Sequence, residues 1–182
     1  MVIATGTAHA SACLTDAQQP LEAVWDALRQ VPDPEIPVVS IVELGIVRGI
    51  DWDGGTLRVR VTPTYSGCPA TDVIREDIRA ALLELGLHDF AIDIALAPPW
   101  TTDWIAPEAK AKLREFGIAP PGAARSRVNV TGISPLRKKA DVRCPRCGSM
   151  ATSLLAQFGS TACKALYRCE ACREPFDYFK PF

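Results

Sequence analysis

The sequence predicts an α/β (α+β) protein: a small mixed sheet with flanking helices, followed by a C-terminal four-cysteine zinc ribbon. Three observations carry this. Helical and strand periodicities alternate through residues 20–116. A stretch rich in Pro, Gly, Arg and Ser, residues 117–139, then breaks the pattern and reads as a linker, with Val128 and Val130 as candidates for one more strand. In the remainder, Cys144/Cys147 and Cys169/Cys172 form two C-x-x-C pairs with 21 residues between them. The expected divisions are therefore a tail over 1–19, the α/β domain over 20–116, the linker, and a ribbon over 140–182.

The elements follow in order. Leu21, Val24, Trp25 and Leu28 have helical spacing behind Pro20, and Pro32 stops the helix. Pro32, Pro34 and Pro37 then force an extended, turning path. Ser40 stands three residues before Glu43, the spacing of a capping box, so a short helical turn closed by Gly45 is expected. Residues 46–52 and 56–62 read as strands joined at Asp53-Gly54-Gly55. In the second, Leu57, Val59 and Val61 alternate with Arg58, Arg60 and Thr62, so one face is buried. Val73, Ile74, Ile78, Ala81, Leu82 and Leu85 predict a helix with one apolar stripe, ended by Gly86, where His88 adds a cation. Residues 90–96 read as a strand, 98–104 as a rigid aromatic loop, and 107–116 as a short polar helix.

The ribbon carries the most specific chemistry. Two C-x-x-C turns supply four thiolates, which suits tetrahedral Zn²⁺ and leaves no coordination position for water or substrate. Pro145 and Gly148 fit the first turn, and the intervening length suits an antiparallel hairpin. Iron is the alternative metal for such an S₄ set, and two disulfides are the alternative without metal.

Charge is unevenly spread around a net −1. Residues 1–124 carry 9 Lys/Arg against 17 Asp/Glu, and residues 125–182 carry 11 against 4. The basic half keeps a nucleic-acid-binding ribbon among the hypotheses, on charge alone. No stretch approaches the roughly 20 apolar residues of a membrane span. The first residues lack a basic start and a long apolar core, so a signal peptide is not expected. Five of the seven Cys fall in the last 40 residues, and a cytoplasmic location with reduced thiols is the consistent reading. Cys13 and His9 lie in the tail and are given no role.

Cys68 is the thiol outside that set which draws notice. It sits between Gly67 and Pro69 at a strand-to-helix turn, where a helix N-terminus would favour the thiolate and lower its pKa. It is then a nucleophile or a soft-metal ligand; the alternative is a small buried hydrophobe. No His stands near enough in sequence to make it a catalytic dyad. One thiolate is also a poor solitary metal site, so a shared cluster at a homodimer or client interface is expected. Asp33 and Glu35, held by prolines, either cap helix ends or face the Cys68 turn. Cys163 is expected to be a buried ribbon residue, with a spare ligand during metal exchange as the alternative. Most of the aromatic tail from Phe176 to Phe182 is expected to fill the ribbon's thin core, and an exposed remainder to be a docking surface.

Two resemblances join these residues. Asp33-Pro34-Glu35-Ile36-Pro37, Ser40 to Val47, the Thr62…Gly67-Cys68-Pro69 turn and Pro98-Pro99-Trp100 with Asp103 resemble the SufT-like (MIP-type) iron–sulfur assembly domain over about residues 20–116. That resemblance implies Cys68 as the functional thiol, with Asp33, Glu35, Trp100 and Asp103 in its supporting loops. Residues 158–169 and 174–180, fused to such a domain, resemble the D subunits of phenylacetyl-CoA epoxidase. This implies a role in aerobic phenylacetate breakdown as a non-catalytic accessory of a multicomponent monooxygenase, maturing an iron–sulfur or iron centre. Other epoxidase subunits, oxygenase or reductase, would be its partners, with zinc in the ribbon and a labile Fe–S cluster at Cys68. The alternative is a stoichiometric structural or electron-transfer component. The residues themselves favour maturation. Glu84 and His88 are four apart, not the Glu-x-x-His of a di-iron helix, and the chain has no G-x-G-x-x-G.

Overall fold

The computed structural model describes residues 20–122 and 142–182. Helix α1 (Leu21–Arg29) begins behind Pro20, whose carbonyl accepts from the Ala23 N–H at 2.9 Å. It buries Val24 and Leu28, one turn apart on a single face. The proline-rich loop that follows is tied by its own backbone: Asp33 N–H donates to Val39 O at 2.9 Å, and Ile41 N–H to Val31 O at 3.1 Å. The capping box forms in both directions. Glu43 N–H donates to Ser40 Oγ at 3.1 Å, and Ser40 N–H to Glu43 Oε2 at 2.9 Å. Gly45 closes the turn at φ +69°, where a Cβ would also stand 2.7 Å from that of Trp104.

Strands β1 (Val47–Asp53) and β2 (Thr56–Val61) are an antiparallel hairpin turning on Gly54-Gly55, both at positive φ. Leu57, Val59 and Val61 are buried. Between them, Arg58 bridges Asp53 and Asp93 on the outer face. Helix α2 (Ala70–Glu84) crosses over and returns the chain to β3 (Phe90–Ile94), parallel to β2. The sheet order is β1-β2-β3, a mixed sheet as expected. The buried stripe of α2 is Ala70, Ile74, Ile78 and Leu82. Val73, expected within it, is 48% exposed, because steps of four from Ala70 leave it a third of a turn aside.

After α3 (Pro107–Glu115), residues expected to open the linker do something else. Ile118 and Ala119 form β4 (Ile118–Ala119) and pair in parallel with β7 (Pro175–Phe179) of the C-terminal sheet. That sheet runs β4-β7-β6-β5, with β5 (Thr152–Ala156) and β6 (Lys164–Cys169) antiparallel. The strand considered at Val128 and Val130 and the ribbon start near Ala140 lie outside the described residues.

The period-two rule divides the aromatic tail. Phe176 and Tyr178 join Tyr167, Ala165 and Cys169 in a small second core. Phe179 points the other way, 1% exposed, into the core of the α/β unit, 5.9 Å from the Trp100 ring. The expectation that most of the tail fills the ribbon's core holds for Phe176 and Tyr178 but not for Phe179, the largest fully buried ring, which joins the two units. Burying such a side chain contributes about 1.5–3 kcal/mol.

Candidate functional site

Two thiol-bearing places emerge. In the first, Cys144, Cys147, Cys169 and Cys172 bring their sulfurs within 4.8 Å of one another. The two C-x-x-C turns are backbone twins. Cys144 N–H donates to Ser149 O at 2.9 Å, and Cys169 N–H to Glu174 O at 3.0 Å. The residue after each pair adopts a left-handed conformation, Gly148 at φ +73° and Arg173 at φ +66°. Sulfurs pair across the turns, Cys144 with Cys172 at 3.8 Å and Cys147 with Cys169 at 3.5 Å. Four bonds of about 2.3 Å to a tetrahedral ion put the sulfurs roughly 3.8 Å apart, so this donor set fits a metal ion and not a disulfide pair. The Cys172 N–H, donating to Cys169 Sγ at 3.5 Å, is the main cause that pulls that thiol down to about 6. This is a closed, four-sulfur metal-binding site.

The second place is a pocket of about 10 Å³, room for one water, lined from both units. Asp33, Glu35 and Cys68 come from the α/β unit, Cys163 and Phe179 from the other. Asp33 is 6% exposed. Its Oδ1 accepts from the Glu35 and Ile36 N–H groups at 2.9 and 2.8 Å, so it caps the proline loop and lines the pocket at once. Burial still pushes its carboxyl above the usual range. Cys68 stands at a tight turn, its N–H on Tyr65 O at 3.2 Å, two residues before α2. The expected lowering of its pKa is overturned: burial raises the thiol, the Ala70 N–H lowers it less, and Glu35 raises it further. Its hydrogen-bond partner Tyr65 is raised to about 12, first by burial and then by Cys68.

Cys163 also departs from expectation. It is 3% exposed, but it belongs to the core of the α/β unit and not to that of the ribbon. Its thiol faces Glu35 Oε2 at 3.7 Å and lies 3.0 Å from Thr161 Oγ1. Burial pushes it up to about 11. Beside it Lys164, 4% exposed, pairs with Asp177 at 3.8 Å. The loop residues sort differently. Trp100 is buried behind the pocket, its Nε1–H on Leu44 O at 3.0 Å, while Asp103 is exposed on the turn Thr102–Trp104 and does not reach the pocket. Sequence reasoning does not single out Tyr65, Thr161 or Lys164. Tyr65, three residues before Cys68, is the one that local spacing could reveal.

Residues 21–90 match the model of a family described as iron–sulfur cluster assembly protein. Residues 130–180 match that of the PaaD zinc beta ribbon domain. A protein of Escherichia coli (strain K12), named as the D subunit of a "Putative 1,2-phenylacetyl-CoA epoxidase", is 47% identical over 91% of this chain and 96% of its own length. The Fe-S protein maturation auxiliary factor YitW of Bacillus subtilis (strain 168) is 38% identical over 50% of this chain and 91% of its own. A solved domain of unknown function from Bacillus anthracis is 27% identical, with a TM-score of 0.47, over 50% of this chain and 89% of its own.

Proposed function

The chain belongs to the family of 1,2-phenylacetyl-CoA epoxidase D subunits, and from that premise we propose that it is a non-catalytic maturation component, assembling or delivering an iron–sulfur or iron centre to another subunit of the oxygenase. The observation that carries this reading is the pocket: a thiol, Cys68, set beside two carboxylates, Asp33 and Glu35, in the part of the chain related to maturation factors. Thiolate and carboxylate together suit iron, and the cargo is held, not transformed. In this reading the four-Cys cluster holds zinc as a structural ion, the protein works in the cytoplasm, and its partners are the oxygenase or reductase subunits. Trp100 supports the pocket through Leu44.

The test is metal and acid-labile sulfide content of protein purified without oxygen, wild type beside Cys68→Ser and Cys144→Ser. The expected result is zinc, iron and sulfide in wild type, loss of iron and sulfide alone in Cys68→Ser, and loss of zinc in Cys144→Ser. If Cys68→Ser retains all that wild type holds, Cys68 is packing. The word "subunit" in the relative's name supports a second reading, a stoichiometric component of the complex. Co-purification at a fixed ratio with the other subunits, independent of Cys68, would establish it.

A further inference from the structure

Cys163 is a buried thiol in an odd setting. A cysteine used as a small hydrophobe is wrapped in apolar groups. This one faces a carboxylate, Glu35, at 3.7 Å and a hydroxyl, Thr161, at 3.0 Å. It shares its pocket with a second thiol, Cys68, and a second carboxylate, Asp33. The cation nearby, Lys164, is paired with Asp177. Asp33 and Cys163 are buried and Glu35 and Cys68 half-buried, and two carboxylates and two thiols gathered this closely are unfavourable as anions unless a cation joins them. Both units contribute, and the chain secures the contribution of the second: Lys180 N–H holds Cys163 O at 3.0 Å, directly beyond the Phe179 anchor.

We propose that Cys163 and Cys68 are two ligands of one thiophilic divalent cation, with the Glu35 carboxylate as a third, in a site formed only when the two units dock. The inference rests on the reading of Cys68 as a cargo ligand and adds the ligand that a lone α/β unit would lack. Binding deprotonates both thiols and releases their protons to solvent. The donor set is looser than the ribbon's: among the described residues, only the four-Cys group has all its ligand atoms within 4.8 Å of one another. A loose set must contract around its ion, and that ordering opposes every binding event, which favours cargo that leaves again over an ion that stays.

The probe is Co²⁺, added without oxygen to protein whose four-Cys site is already filled with zinc. Sulfur-to-cobalt charge-transfer absorption reports thiolate ligation. Wild type is expected to show the band. Cys163→Ser, Cys163→Ala and Cys68→Ser should each cut it to about half and weaken binding by about tenfold or more, and Glu35→Gln should weaken binding while keeping the band. Zinc retention confirms that each variant is folded. Should the Cys163 variants fail to fold, cobalt-edge X-ray absorption on wild type counts the sulfur ligands directly: two support the site, one overturns it. If Cys68→Ser halves the band and Cys163→Ser leaves it unchanged, the two-thiol site falls and the Cys68 reading survives. If only Cys163→Ser acts, both fall. A wild type with no band overturns the two-thiol site, and the iron and sulfide assay judges Cys68 separately.

Discussion

The four-Cys cluster and the Cys68 pocket are both built from thiols, but they are assembled in opposite ways. In the cluster, two local turns each present two sulfurs, and all four already stand at the spacing of a tetrahedral ion. In the pocket, a proline loop, a strand-to-helix turn and a β6-proximal residue each supply one or two groups, across two units, around room for a single water. A preorganised set needs no rearrangement and holds its ion. A dispersed set is coupled to how the units dock. On the proposed reading, the same residue type serves stability in one place and exchange in the other.

The largest expected effect would break this contrast if it failed. Cys169→Ser should remove the metal and unfold the C-terminal unit. Structural zinc in small domains contributes about 10–16 kcal/mol of apparent binding free energy, and a ribbon with a core this thin has little else. Metal content and near-ultraviolet circular dichroism of Tyr167 and Tyr178 would report it. Cys68→Ser, by contrast, should leave both signals in place. Equal damage from the two substitutions would mean that the pocket is as structural as the cluster.

The next effect tests the coupling. Phe179→Ala should cost about 3–5 kcal/mol, as the deletion of a fully buried ring does. At about 2–4 °C per kcal/mol this lowers Tm by roughly 6–20 °C. The Cys163 thiol, buried in the intact fold, should become open to alkylation while the four-Cys metal stays bound. If it remains protected, docking through Phe179 does not close the pocket.

These effects also explain what can be read from the sequence. The C-x-x-C turns are local, so their spacing alone announces a metal site, and Gly148 announces its left-handed turn. Its twin Arg173 does not, because only the fold imposes φ +66° there. The mixed sheet, α1, the capping box and the hairpin are legible for the same local reason. Val73 misleads because an apolar residue next to a helical stripe has the same composition inside the core or out of it. The pocket is half legible: Asp33, Glu35 and Cys68 sit in short motifs, but Cys163 lies 128 residues from Glu35. Its orientation depends on β4 joining the second sheet and on Phe179 crossing to the first core. Neither has a local signal. The thiol pKa of Cys68 is misjudged for a related reason, since a turn before a helix suggests the dipole, whereas burial and Glu35 are tertiary and outweigh it.

The smallest effect sharpens the contrast from the pocket's far side. Glu43 touches neither thiol site, yet it secures the loop whose Leu44 lines the pocket. Burial alone would raise its carboxyl. The Lys112 ammonium at 2.7 Å and the Ser40 N–H at 2.9 Å outweigh that and hold it below the usual range. A carboxyl lowered in the fold contributes stability above its unfolded pKa and loses it as pH falls through the folded one. Glu43→Gln should therefore cost about 1 kcal/mol at neutral pH, a Tm loss of about 2–4 °C, and the gap to wild type should narrow as pH falls below the ordinary glutamate range. Thermal melts across pH 3–7 read this directly. The four-Cys metal content should not change, because nothing in that cluster leans on the loop. A gap that stays constant with pH would mean that Glu43 acts by packing and not through its charge.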